Sequence, residues 1–201
     1  MSDLERVIYI QGVGAKPLVQ EQLPELWLPY GLSVEQQPVE WTSADYDDRV
    51  AEIGTRIIEL SAVGNVSIVA ASGGVKTQMS LIARYIEHIH RAVSINGKFE
   101  PFDFSDSPTQ GTRRPNLVRS SDVMQEDYKN ISPEKLADIS TKLLWIRSRS
   151  DETIPHDTVP SVVKEYILPI DGHRQGIEYA LTIGGPAIAG YLMDGTVPSS
   201  V

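Results

Sequence analysis

One serine, one histidine and one aspartate stand where nucleophilic chemistry would need them. Ser72 lies in "IVAASGGVK", where a short apolar run stops and a long helical pattern begins. His173 follows a second apolar run in "ILPIDGHRQG", with Gly172 before it to permit a tight turn. Asp151 follows a third run, in "LLWIRSRSDETIP". A serine hydroxyl is a weak nucleophile until a base takes its proton, and the base needs a third group to orient it. Of the four histidines, His88 and His90 fall near the end of the helix after Ser72, where a basic group suits the helix dipole. They stand two apart and so share no helix face as a metal pair would. His156 reads as the cap or start of a helix. His173 is therefore the candidate base. Asp151 ranks first as its orienting acid. Asp171 is two residues from His173, and such neighbours rarely aim at each other's ring nitrogens; Asp103, beyond "AVSIN", is a second fallback.

The surroundings of Ser72 are small: Ala70, Ala71, Gly73 and Gly74. If a strand turns straight into a helix, the residue at the tip is strained, and the positions two before and two after must be small. This is the pattern of a nucleophile elbow, small-x-Ser-x-small, with the tip side chain standing free and the next N–H, that of Gly73, facing the same space. A phosphate loop is the rival, because "AASGGVKT" ends in Lys76-Thr77. That loop requires glycine directly before the lysine and again five residues earlier. Val75 and Ala70 occupy those positions. "GVGAKP" at 12–17 begins like a dinucleotide fingerprint but has Pro17 at the third glycine.

These residues need strands and helices to position them. "RVIYIQG", "NVSIVAA", "AVSIN", "KLLWIRS" and the stretch around 166–170 read as strands. "GLSVEQQPVEW" reads as a more polar strand that Pro38 pushes to a sheet edge. Between them, 43–60 reads as a helix capped by Ser43 with Asp45, Asp47 and Asp48 in its first turns. Residues 74–90 read as a second helix with Met79, Ile82, Ile86 and Ile89 on one face. A short helix precedes the last strand. The tail, 174–193, reads as helical with a break at 184–186. Alternating strands and helices imply an α/β fold: a three-layer sandwich with a mostly parallel sheet of about six strands and helices on both faces. In such a sheet ligands bind beyond the carboxyl ends of the strands, where Ser72, Asp151 and His173 all fall. The long connector 97–141 begins as a loop and turns helical after Ser121 and Ser132. A minimal lid and a plain surface loop are both open readings of it.

The 201 residues suit a single domain, 1–201, with a sizeable core, and 41% hydrophobic with 22% charged residues is ordinary for a globular chain. A net charge of −9 with scattered basic residues disfavours nucleic acid or an anionic membrane surface as partner. There is no cysteine, hence no disulfide, thiolate metal site or thiol nucleophile. "MSDLERVIYI" does not read as a signal peptide, and no apolar run reaches membrane-spanning length. The expectation is a cytoplasmic protein without membrane insertion.

In this order the motifs resemble the α/β-hydrolases over nearly the whole chain. The matching parts are "YIQGVG" for the first strand and oxyanion loop, "AASGG" for the elbow, "SRSDETIP" for the acid and "DGHRQG" for the histidine. The chain departs from the family in Gln11, in its length and in lacking the two leading strands. The resemblance implies Ser72 as nucleophile, His173 as general base and acid, Asp151 as orienter, and the backbone N–H groups of Val13 and Gly73 as oxyanion hole. It implies a serine hydrolase that cleaves a small ester, thioester or amide and needs no metal or organic cofactor. A catalytically silent binding protein on this fold and an acyltransferase with the same residues are the alternatives. Phe99, Phe102, Phe104, Leu117 and Val118 are candidate pocket walls, and Arg113, Arg114 and Arg119 candidate contacts for a substrate carboxylate.

Overall fold

The computed structural model describes residues 4–13, 17–42, 45–99, 115–129, 131–154 and 163–198. They form one six-stranded sheet in the order β2-β1-β3-β4-β5-β6. The strands are β1 (Glu5–Ile10), β2 (Leu32–Gln36), β3 (Val66–Ala71), β4 (Ala92–Ile95), β5 (Leu143–Ser150) and β6 (Lys164–Asp171), and every neighbouring pair is parallel. The helices are α1 (Pro17–Trp27), α2 (Tyr46–Ser61), α3 (Gly74–Tyr85), α4 (Pro115–Lys129), α5 (Pro133–Lys142), α6 (His173–Leu181) and α7 (Gly185–Asp194).

A strand covered on both faces must be apolar on both, and β3 is buried at all six positions. Alternate residues feed two cores. Ile8, Ile10, Ile68, Ala70 and Trp145 face α2, α3, α4 and α5, whereas Val7, Tyr9, Val69, Ala71, Leu144 and Ile146 face α1, α6 and α7. The polar strand β2 lies at the edge, as Pro38 just beyond it foretells. The chain leaves β1 for β2 on one side and returns to β3 on the other. This reversal opens a crevice at the carboxyl ends of β1 and β3, the usual ligand position of such sheets.

Three local expectations change. The helix after Ser72 ends at Tyr85 rather than His90, because Tyr85 leaves helical space at φ −129° and a single 3-10 turn, Ile86–His88, follows. The connector turns helical at Pro115, ahead of Ser121, while Ser132 does cap α5 by accepting from the Lys135 N–H at 3.2 Å. Asp45 rather than Ser43 holds the N-cap position of α2. Ser43, Phe102, Asp103, Phe104, Arg113, Arg114, His156 and the short helix before β6 lie outside the described residues. Among the described residues no helix is long and apolar enough to cross a membrane.

Candidate active site

Ser72 sits at φ +51° between β3 and α3. Few non-glycine residues adopt this region, and those that do cluster at functional sites. No loop intervenes: the Ser72 N–H still donates to Ile95 O at 2.9 Å, while Val75 N–H already bonds to Ser72 O at 3.1 Å. The cramped turn explains the small neighbours. A Cβ on Gly74 would lie 2.6 Å from Ile10 O and 2.7 Å from Gln11 O. Gly12 has its own constraint, since a Cβ there would meet Ser72 Cβ at 2.7 Å and Ala71 O at 2.8 Å. Gly12, the first glycine of "GVG", lets the loop after β1 run against the elbow. Val13 follows, and its Cγ2 would stand 2.9 Å from a Cβ on Gly73. The two segments expected to supply oxyanion donors therefore adjoin.

His173 opens α6, after Gly172 at φ +92°. Its Nε2 is 2.8 Å from Ser72 Oγ and its Nδ1 is 2.7 Å from Asp151 Oδ2. A carboxylate can only accept, so Nδ1 carries the proton and Nε2 is left to accept from the serine hydroxyl. The other Asp151 oxygen accepts from the Thr153 and Ile154 N–H groups, each at 2.8 Å. The Asp151 side chain is 2% exposed and that of His173 13%. Burial by itself would raise the Asp151 pKa. Hydrogen bonds from His173, Ile154 and Thr153 outweigh it, and the carboxyl ends below its ordinary value.

Asp171 is engaged elsewhere. Arg149 Nε donates to it at 3.0 Å and Ser150 Oγ at 2.8 Å. The guanidinium, with help from the hydroxyl, lowers its pKa to about 2. His88 closes the 3-10 turn that follows α3, and His90 lies just before β4, at the amino ends of the central strands and away from the carboxyl ends that carry Ser72: His88 Nδ1 lies 3.1 Å from Ser61 Oγ, and His90 Nδ1 lies 3.0 Å from Glu5 Oε1. Leu117 on α4 comes within 3.3 Å of a Cβ on Gly73, beside Trp41 at 3.7 Å. Val118 is half-buried, and Phe99 packs edge-on against Tyr128. Arg119 pairs with Asp47 at 2.8 Å. Sequence reasoning passed over Trp41, and also Asn96, Ser148 and Glu152, whose polar groups contact the backbone around His173. For Asn96 a signal was present, an Asn-Gly pair directly after a strand.

No known family's sequence profile matches the chain, and no curated protein matches it in sequence. Solved structures do match in shape. Est1E from Butyrivibrio proteoclasticus superposes with a TM-score of 0.66 at 16% identity, over 97% of this chain and 89% of that one. A structure from the metagenome-derived lipolytic enzymes LipS and LipT gives 0.62 at 14%, over 92% and 89%. The haloalkane dehalogenase DbeA from Bradyrhizobium elkani gives 0.65 at 13%, over 96% and 91%. The chain has the α/β-hydrolase fold. Esterases and a dehalogenase share it, so the fold alone does not choose the reaction.

An elbow in an α/β-hydrolase fold is intolerant of bulk, and this can be measured. Gly74→Val, and less severely Ala70→Val, should destabilise the protein, since overpacking costs about 1–3 kcal/mol. At this chain length that is a fall in Tm of roughly 2–4 °C per kcal/mol. Gly190 in α7 serves as control. A Cβ there meets nothing within 4 Å, so Gly190→Ala should leave Tm unchanged or raise it. Equal Tm values for Gly74→Val and wild type would show that strand and helix do not cross as closely as described.

Proposed function

We propose that the protein is a serine hydrolase that cleaves a small ester, thioester or amide through an acyl-enzyme on Ser72. The observation that carries this reading is the line Ser72 Oγ–His173 Nε2–Asp151 at 2.8 and 2.7 Å, with the serine at a strained strand–helix junction. His173 takes the hydroxyl proton as Ser72 Oγ bonds to the substrate carbonyl carbon. The carbonyl oxygen becomes an oxyanion, to be met by the N–H groups of Gly73 and Val13. The bond to the leaving group then breaks, and His173 delivers the proton to it. Water repeats the sequence on the acyl-enzyme, giving up a proton to His173, and Ser72 regains its own. Asp151 keeps the imidazole in the Nδ1–H tautomer and stabilises the imidazolium throughout.

A fluorophosphonate should label Ser72 stoichiometrically and no other serine, as read by peptide mapping. Only a serine beside a base and oxyanion donors is activated for that attack. A protein that merely binds ligands on this fold gives no label. Label on a different serine, or none on the folded protein, removes the proposal.

A further inference from the structure

The His173 ring is held by Asp151 and Ser72, but its backbone is held as well, by residues the chemical steps do not use. Asn96 follows β4, is 1% exposed and sits at φ +45°. Asparagine is among the few side chains enriched in that region. Its Nδ2 donates to His173 O and to Ser148 Oγ, both at 2.8 Å, and its Oδ1 accepts from Ser148 N–H at 2.8 Å. Ser148 Oγ donates onward to Gly172 O at 2.9 Å. On the outer side, Glu152 accepts from the His173 N–H at 3.0 Å, an anion at a helix N-terminus where the dipole favours it.

Gly172 O and the His173 N–H belong to the peptide unit before the His173 Cα, and His173 O to the unit after it. With both units pinned, the direction of the Cα–Cβ bond is fixed, and only the two side-chain torsions remain for Asp151 and Ser72 to set. One turn on, Gly176 leaves the room this requires. A Cβ there would overlap Ser148 Oγ and lie 2.7 Å from Asn96 Nδ2.

We propose that Asn96 and Ser148 form a buried polar bracket that positions His173 against Ser72, with Gly176 as the gap that admits it. They are positioning residues: neither touches the reacting atoms. A buried polar pair and a strained backbone are costly to maintain. Catalytic geometry rewards such cost, because a misplacement of about 1 Å can lower turnover about 10²-fold.

This inference rests on His173 being the base, so the test has one arm that needs no substrate. Proton NMR follows the His173 Nδ1–H, sheltered by its bond to Asp151, in wild type, Asn96→Ala and Ser148→Ala, each shown folded by circular dichroism. A second arm measures kcat and KM on a short-chain aryl ester. In both variants the Nδ1–H signal should broaden or exchange with solvent. kcat should fall about 10- to 100-fold for Asn96→Ala, with KM changed by no more than about twofold. The double variant should be no worse than the poorer single one, because the two residues act as a unit. An unchanged Nδ1–H signal with kcat within about twofold of wild type overturns the bracket. Should Asn96→Ala not fold, Ser148→Ala removes only a hydroxyl and decides alone. A wild type that turns over no ester and takes no fluorophosphonate label on Ser72, while the variants still lose the signal, overturns the hydrolase reading and leaves the bracket standing.

Discussion

Ser72→Ala is expected to reduce turnover of a short-chain aryl ester by on the order of 10⁵- to 10⁶-fold, the scale on which removing such a nucleophile acts in a serine hydrolase. The reason is local. Ser72 Oγ is the atom that His173 Nε2 faces, at 2.8 Å, and without it no acyl-enzyme forms. What survives is catalysis by oxyanion donors and binding, worth roughly 10³- to 10⁴-fold over water. The fold should be indifferent to the change. Alanine keeps the Cβ that lies against Gly12 and inherits the same positive φ, so strain is neither added nor relieved. Melting temperature should therefore match wild type. A folded Ser72→Ala protein with more than about a tenth of wild-type turnover would mean that the acyl-enzyme mechanism is wrong.

The elbow was legible in the sequence because its pattern is contiguous. Ala70, Gly73 and Gly74 flank Ser72 in one short stretch, although the atoms that bar bulk at Gly73 and Gly74 come from Val13, Leu117 and the end of β1. Two-sided burial wrote most of β3 as an apolar run, Ile68 to Ala71, and Pro38 marked the edge strand. The contact between Asp151 and His173 was legible for a related reason: each follows a strand, and parallel strands bring their carboxyl ends to one side of a sheet. The bracket was not legible. Asn96 and Ser148 are 52 residues apart, and each alone reads as a polar residue near a strand end. Only the β4–β5 pairing, which sets Ser94 beside Trp145 and Ile95 beside Ile146, brings them together. The end of α3 was overrun for the opposite reason. Ile86 and Ile89 continue the helical spacing and are buried, yet they reach the core from a 3-10 turn and an extended residue.

Asp151→Asn should lower kcat by 10²-fold or more, toward the roughly 10⁴-fold of the comparable change in trypsin-like enzymes, which is about 3–5 kcal/mol at 1.36 kcal/mol per decade. The hydrogen bonds show why an isosteric change is so harmful. Asp151 Oδ1 accepts from both Thr153 and Ile154 N–H, so an amide must keep its oxygen there and turn its NH₂ toward His173. Nδ1 then becomes an acceptor, the ring proton moves to Nε2, and Nε2 can no longer accept from Ser72. Asp171→Asn should cost less than about tenfold, because it only loosens an exposed pair with Arg149, a kind of contact that contributes little. A pH series adds a second signature. The Asp151 pKa is lowered in the folded protein. Its contribution to stability is therefore complete above its ordinary value of 3.8 and is lost as pH falls through the lower folded value. The Tm gap between wild type and Asp151→Asn should narrow in that acid range and persist at neutral pH. Turnover of an aryl ester at neutral pH, with circular dichroism to confirm folding, decides the assignment. A crippled Asp171→Asn beside a near-normal Asp151→Asn would mean that the acid is misassigned. If both keep near-normal turnover while Ser72→Ala is dead, His173 takes its orientation from another carboxylate, and Asp103 is the next to replace.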